Sequence, residues 1–548
     1  MNLPTLIIRA DASAHMGTGH VMRCLALAEP WLAAGSEVIL AAQLMPEALG
    51  QRALKAGVKP YSVGGEAGGI EDAQETAALA AEHPGAWLVV DGYQFGEGYF
   101  GVLKQAGVKV LQVDDFGGLT RYAADFVLNQ NLGVTAAWYP QKTENTRLLL
   151  GTRYVQLRGE FLQQKTTERD PEKEQLSILV TLGGSDPDNV TAKVIEALQL
   201  ISGVEATVVV GGSNPHWEEL QASVKKDAAK IRLIRNASNM PELMATADLA
   251  IAAGGTTAWE LAYMGVPMMT IVLADNQRSN GEQLAATGVA INLGWHGELT
   301  AEALAKRIEA LIHKDVPVSH TGAATGTPQP GPLSSELRQS RESGRGSDDL
   351  AAKSEASPAD TNSLAEMSAK AWELVDGLGS MRVWLRLNEE TLRLRSATAE
   401  DAKLIFDWAN DPGVRAVSFS SEPIAWENHL TWFTAKLSDA NYRIWVAEDA
   451  AGTPVGQVRF QIDGEAATIS ISLDAGQRGK NRGSLLIWAA CRKIFAESAL
   501  KEVLAYIKPD NQASIRAFEK AGFADWDEAT VKGAAAWVCR MERKEAED

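Results

Sequence analysis

"TLIIRADASAHMGTGHVMRCLALA" (Thr5–Ala28) decides the fold. Its first part is a short apolar run that predicts a buried strand. Its last part places Val21, Leu25 and Ala28 at helical spacing, continued by Leu32, and predicts a helix. Gly17 and Gly19 lie between them. A strand, a glycine turn and a helix, in that order, open a parallel α/β sheet. Pro30 is expected to bend or shorten the helix, because it has no N–H to give to the helix ladder.

The turn also carries chemistry. A helix N-terminus presents unpaired N–H groups and the positive end of a dipole, and glycines let an anion come close. Gly17 and Gly19 are therefore candidate phosphate contacts. His20 follows in the first helical turn, where the dipole favours neutral imidazole, a form able to accept a proton. It is a candidate general base; a capping or packed histidine is the plainer alternative, and the G-x-G-H pattern alone leaves both open.

Working outward, short apolar strands alternate with helix-length segments up to about Val318: "EVILAA", "AWLVVDG", "VKVLQVDD", "FVLN", "LSILVTLGG", "EATVVVGG", "IRLIR", "LAIAAGG" and "PMMTIVL". Ten strands exceed what one doubly wound sheet usually needs. Two Rossmann-like domains are expected, 1–160 and 161–380, dividing near Arg158–Pro171. The second repeats the strand, glycine and helix order twice, in "LVTLGGSDPDN" (Leu179–Asn189) and "AAGGTTAWELAYMGVPMMTI" (Ala252–Ile271). From about Val318 to Ser363 the chain is rich in Gly, Ser, Pro and charge, so a disordered insertion is expected there. Helical spacing resumes at Leu364, Met367, Ala371 and Leu374. After "MRVWLRL", read as a movable join, residues 381–548 show a strand, a helix, three antiparallel-type strands and two further helices. That order predicts a separate α+β domain.

Composition bounds the function. The 548 residues carry a formal net charge of −18, which argues against broad nucleic-acid binding. No apolar run is long enough to predict a membrane span, and no basic leader precedes the first strand. Cys24, Cys491 and Cys539 are far apart, so neither a disulfide framework nor a metal site is expected. A reducing cytoplasm is the expected location; the oligomeric state is not legible.

The glycine turns recur together with "RADASAHMGTGHVMRCLALA", "VVDGYQF", "LQVDDF", "DFVLNQN", "LGGSDPDN", "AAGGTTAWELAYMGVP" and "LADNQ". In this order they resemble the GT-B family of nucleotide-sugar enzymes, and among them the pseudaminic acid pathway hydrolases that release UDP from UDP-2,4-diacetamido-2,4,6-trideoxy-β-L-altropyranose. The resemblance implies that His20 is the general base and that Asp91 and Tyr93 lie near the sugar. It also implies UDP contacts from Gly183, Gly184, Gly255, Thr256 and Glu260, with Asn276 and Gln277 facing the cleft. No acidic metal motif is evident, so no required metal is expected. A glycosyltransferase, using an acceptor hydroxyl instead of water, is the alternative on this scaffold.

A second resemblance covers Leu385–Phe523. "LDAGQRGKNRGSLLIWAA" (Leu473–Ala490) and "IKPDNQASIRAFEKAGF" (Ile507–Phe523) resemble the GNAT acyltransferases, which use acetyl-CoA. The resemblance implies cofactor contacts from Arg478, Gly479, Lys480, Asn481, Arg482, Gly483 and Asn511. Asn481 stands where the family has its first loop glycine; asparagine tolerates left-handed backbone, so the loop is expected to survive. Phe518 stands where many members carry an acidic tyrosine; Tyr506 is a substitute or a packed strand residue. Glu422, Trp426, His429 and Trp432 are either core or an acceptor pocket. A noncatalytic CoA-binding module is the alternative for this half. Together the halves imply N-acetylation of a 4-amino UDP-sugar followed by hydrolysis.

Overall fold

The computed structural model describes residues 3–13, 16–164, 175–224, 230–312 and 362–547. The expected insertion lies outside the described residues as far as residue 361.

The first sheet contains β1 (Leu6–Ala10), β2 (Val38–Ala42), β3 (Lys59–Ser62), β4 (Trp87–Asp91), β5 (Lys109–Val113), β6 (Phe126–Asn129) and β7 (Arg147–Leu150). All are parallel, in the order β3-β2-β1-β4-β5-β6-β7. The second contains β8 (Leu176–Thr181), β9 (Val204–Val210), β10 (Lys230–Arg235), β11 (Leu249–Ala253), β12 (Met268–Val272) and β13 (Ala290–Trp295). It is also parallel, in the order β10-β9-β8-β11-β12-β13. The ten expected strands are present; β3, β7 and β13 are additional. β3 escapes sequence reading because it is mostly exposed and contains Pro60, so it lacks an apolar pattern.

The third sheet contains β14 (Leu392–Ser396), β15 (Tyr442–Asp449), β16 (Pro454–Asp463), β17 (Ala466–Leu473), β18 (Glu502–Ile507), β19 (Ala524–Val531) and β20 (Ala534–Glu542). Its neighbours are antiparallel except β17 and β18, which run parallel. That pair is registered only from Ala466↔Glu502 to Thr468↔Leu504. The rest of β17, up to Leu473, diverges from β18 and leaves a wedge between two central strands.

The first helix, Gly19–Ala33, runs through Pro30 and ends three residues later. The expected movable join is instead a helix, Gly379–Asn388, most of whose residues are buried. Its Met381, Val383, Trp384, Leu385 and Leu387 share one apolar core with the first helix, with Leu485–Trp488 and with Phe518. The Trp384 ring meets Trp31 edge-on at 6.5 Å, and Trp87 Nε1 of β4 donates to Leu387 O at 2.7 Å. A stretch rich in Val, Trp and Leu buries its apolar face wherever two domains offer one, which is why it does not behave as a linker.

Candidate active sites

In a doubly wound sheet the ligand crevice opens where the strand order reverses, at the carboxyl ends of the strands. In the first sheet this point lies between β1 and β4, and in the second between β8 and β11. The turns at these points face each other. A Cβ on Gly19 would stand 3.9 Å from Thr256 Oγ1, and one on Gly184 would stand 4.0 Å from Thr18 Oγ1. Asn280 Nδ2 closes the junction, donating to Asn131 Oδ1 at 3.1 Å. The Gly17–Gly19, Gly183–Gly184 and Gly255–Thr256 turns thus converge on one cleft between the domains.

His20 lies in the first turn of its helix and is 8% exposed. Its Nδ1 is 2.7 Å from Asp91 Oδ1 at the end of β4. Asp91 is wholly buried. Burial alone would raise its pKa; the charges of Arg23 and His20 more than offset this and hold it far below the ordinary carboxylate range. An ionised carboxylate only accepts, so Nδ1 carries the proton, and in a neutral ring the lone pair lies on Nε2. Asp91 therefore lies beneath His20 and holds its ring through Nδ1.

Arg23 fixes Asp91, donating from Nε to Oδ2 and from Nη2 to Oδ1, each at 2.6 Å. Its other face holds Asp115, through Nη1 at 2.7 Å and Nη2 at 3.0 Å. Tyr93 Oη donates to Asp115 at 2.9 Å, and the Tyr93 ring meets His20 edge-on at 4.7 Å. Tyr93 is 53% exposed, so it forms an open wall beside the imidazole. Sequence reading passed over Arg23 and Asp115. The available signal was that Arg23 lies three residues after His20, hence on the same helix face.

A second buried network stands at the end of β1: Arg9 binds Asp72 at 2.9 and 2.8 Å and Asp11 at 2.7 Å. For Asp72 and Asp115, as for Asp91, burial raises the carboxyl pKa and the paired arginine outweighs it. Depressed carboxylates contribute stability above the unfolded value of about 3.9, lost as pH falls through the folded one. The melting temperature is therefore expected to hold from neutral pH down to about 5 and to drop steeply below about 4. A melting curve flat down to pH 2.5, taken by circular dichroism, would contradict this assignment.

The remaining expected nucleotide contacts divide. Gly183 has φ +94°, a left-handed backbone that favours glycine, while Gly255 is the N-cap of the helix Thr256–Tyr263. Glu260, in contrast, accepts from Arg158 Nη2 at 2.8 Å and Nε at 3.1 Å. Its carboxylate is held by Arg158, in the segment between the two parallel sheets. Burial raises its pKa, and Arg158 acts in the opposite direction. Gln277 Oε1 accepts from Leu273 N at 3.0 Å, which holds the loop beside Gly255. The side chain of Asn276 lies outside the described residues.

In the third sheet, Gly479 and Asn481 both adopt left-handed backbone, φ +75° and +53°. Asn481 thus fills the role expected of it, and the loop turns into the helix Arg482–Glu497. Its side chain does more: Nδ2 donates to Pro30 O of the first helix at 3.0 Å, and Oδ1 accepts from Lys520 Nζ at 3.0 Å. Arg478 binds Asp411 at 2.8 Å, and Lys480 donates to Gly476 O at 3.0 Å. Arg482, named among the loop's cofactor contacts, is buried. Among the described residues its Nε and Nη1 have no hydrogen-bond partner. Gly483 has room for a methyl group, 3.5 Å from Leu473 Cδ1. Asn511 Oδ1 caps the helix Gln512–Ala521, accepting from Ser514 N at 3.2 Å.

Phe518 is buried against Phe523 and offers no acid, whereas Tyr506 is 38% exposed on β18, on the side of the strand opposite Val503, Ala505 and Ile507. The packed-strand reading of Tyr506 is therefore corrected. His429 is core: it is stacked on Phe433 at 5.7 Å, and its Nε2 is 2.9 Å from Ala402 O. Glu422 is exposed.

Two domain families match parts of this architecture. Residues 177–325 match the glycosyltransferase family 28 C-terminal domain, and residues 391–524 match the acetyltransferase (GNAT) domain. The chain joins two Rossmann-like domains, the second of family 28 type, to a GNAT domain.

More particularly, it is a homologue of the UDP-2,4-diacetamido-2,4,6-trideoxy-beta-L-altropyranose hydrolase of Campylobacter jejuni. The two are 25% identical over 291 residues, 52% of this chain and 98% of that one. The spore coat polysaccharide biosynthesis protein SpsG of Bacillus subtilis is 29% identical over 202 residues, 36% of this chain and 58% of that one. A Methanocaldococcus jannaschii protein, MJ1062, is 22% identical over 535 residues, covering 94% of this chain and 96% of that one. Among the described residues, no helix is long and apolar enough to cross a membrane, and no three His, Cys, Asp or Glu side chains are grouped to hold a metal ion.

Proposed function

We propose that this chain hydrolyses UDP-2,4-diacetamido-2,4,6-trideoxy-β-L-altropyranose to the free sugar and UDP, and that its C-terminal domain first transfers acetyl from acetyl-CoA to the 4-amino group of the UDP-sugar precursor. The observation that carries the first half is the His20–Asp91 pair, set among three glycine turns of phosphate-binding type. His20 Nε2 takes a proton from water as its oxygen attacks the anomeric carbon. The bond from that carbon to the diphosphate oxygen breaks, and the pair of electrons leaves with UDP. The N-terminus of the helix Thr256–Tyr263 meets the developing charge with N–H groups fixed beforehand. The likeness to the Campylobacter hydrolase over nearly its whole length supports water as the acceptor.

The GNAT domain supports the second half. Its wedge between β17 and β18 offers an extended slot, and the left-handed turn at Gly479 and Asn481 offers backbone donors to a pyrophosphate. We retain the division 1–160, 161–380 and 381–548, with the helix Gly379–Asn388 spanning the last boundary. Both steps belong in the cytoplasm, where acetyl-CoA and nucleotide sugars are found.

The test is to incubate purified chain with the 4-amino UDP-sugar, with and without acetyl-CoA, and to follow the products by mass spectrometry. The expected order is the acetylated UDP-sugar, then free sugar and UDP. UDP release that requires an added hydroxyl acceptor would instead make this half a glycosyltransferase. Gly479→Val forces a β-branched residue into left-handed backbone and is expected to weaken acetyl-CoA binding about tenfold or more by calorimetry. Unchanged affinity would remove the loop from the cofactor site.

A further inference from the structure

The carboxyl edge of the first sheet carries more than the His20–Asp91 pair. β4, β5 and β6 are neighbours there, and they end at Asp91, Val113 and Asn129. Tyr93, Phe116 and Asn131 follow just beyond these ends, in the same order along the edge. His20 is bonded to Asp91 at the end of β4, and Asn280 of the second domain is bonded to Asn131 just past β6. Phe116 therefore stands between the candidate base and a point where the second domain touches the first, which places it at the cleft. Phe116 is 49% exposed, and its ring lies 5.2 Å from that of Tyr93, tilted at 44°. With the edge-on contact of Tyr93 to His20 at 4.7 Å, the rings form a row running outward from the imidazole.

Polar groups brace this row. Asp115, the residue before Phe116, is largely buried; its carboxylate is held by Arg23 and by Tyr93 Oη. Its carbonyl accepts from Asn131 Nδ2 at 2.9 Å. Gly118 lets the Phe116 ring fold back onto its own loop: a Cβ there would stand 3.2 Å from both Cδ2 and Cε2. The hydroxyl proton of Tyr93 is committed to Asp115, so what the pair adds to the cleft is aromatic surface. Exposed aromatic surface in a polar cleft gives the apolar parts of a ligand a place to leave water. A sugar bearing only hydroxyls has little to place there. A 2,4-diacetamido-2,4,6-trideoxy sugar has three methyl groups, at C6 and at the ends of its two acetamido groups.

We propose that Phe116, backed by Tyr93, is a specificity-determining residue of this cleft: it packs against methyl groups of a deoxygenated, N-acetylated sugar and so selects that sugar over its fully hydroxylated counterpart. This rests on the reading of the cleft as the site of a UDP-sugar hydrolase. It adds which side chain reads the sugar, and by what chemistry.

Titration calorimetry on the full chain is the direct test, with three probes. The first is the 2,4-diacetamido-2,4,6-trideoxy UDP-sugar; the second is the UDP-sugar of the same configuration with hydroxyls at C2, C4 and C6; the third is UDP. Both sugars carry CH2 in place of the anomeric oxygen, so that neither can be hydrolysed during the titration. Phe116→Ala is expected to weaken the trideoxy sugar about tenfold, the usual scale for an apolar group of this size, and the hydroxylated sugar less than about twofold. UDP should bind as before, because in that reading the second domain holds it. Phe116→Leu, which restores apolar surface, should recover most of the preference. The ring is half exposed, so neither change should lower the melting temperature. A ratio between the two sugars that is the same in Phe116→Ala as in the intact chain would overturn the proposal. So would an equal loss of affinity for UDP, which would make the wall a platform for the base. Turnover of the ordinary trideoxy UDP-sugar decides the parent reading separately. A preference that depends on Phe116, with no UDP released by the intact chain, would keep the wall and sink the hydrolase.

Discussion

His20→Ala is expected to abolish detectable UDP release while leaving UDP affinity within a few-fold. General-base catalysis is worth about 10²–10⁴-fold, and in the proposed function the nucleotide is held by backbone of the second domain, which this change does not touch. The variant should fold, because removing the imidazole leaves Asp91 bound on both oxygens by Arg23. Asp91→Asn is a poorer probe of the same point. It would misalign the imidazole, but it would also strip a buried arginine of half its charge balance, a loss of about 3–5 kcal/mol for a broken buried pair. The pair of variants separates the roles: His20→Ala should lower kcat without lowering the melting temperature, and Asp91→Asn should lower both. Near-normal turnover by His20→Ala, measured as UDP released per enzyme, would remove His20 from the mechanism and return it to the packed-histidine reading.

Trp384→Ala is expected to cost about 3–5 kcal/mol and to destabilise the first and last domains together. Trp384 is wholly buried at the point where the first helix, the helix Arg482–Glu497 and the join meet. Its loss opens a cavity that neither domain can close alone. Calorimetric unfolding should show these two domains melting in one transition, shifted down as a unit. By the same reasoning a fragment beginning at Met381 would expose Val383, Trp384, Leu385 and Leu387 to water and is expected to aggregate unless the first domain is supplied. The sequence-based picture of two beads on a movable join predicts the opposite: two transitions, with Trp384→Ala moving at most one. Observing that would show the shared core to be energetically unimportant.

The contact from Asn481 to Pro30 joins the same question to function. Pro30 lies in the helix that begins with His20, and Asn481 lies in the loop assigned to the cofactor. The two sites are tied through a single helix, so independence between them is no longer the default expectation.

The sequence by itself determined the layers and the turns. Buried parallel strands must be apolar and short, and a glycine turn before a helix leaves its mark wherever phosphate is to be approached. The ten strands, the three glycine turns, His20 and the tolerance of Asn481 for left-handed backbone were therefore all legible, being local properties of a few consecutive residues. The strands it missed, such as exposed β3, lack an apolar pattern to read.

Only the tertiary structure decided what pairs with what. Asp91 beneath His20, Arg23 between Asp91 and Asp115, and Glu260 turned to Arg158 are contacts across 68 to 102 residues, and no local spacing encodes them. The join became a buried helix for the same reason: its apolar face says that it will be covered, while the identity of the cover depends on where two distant domains bring their surfaces.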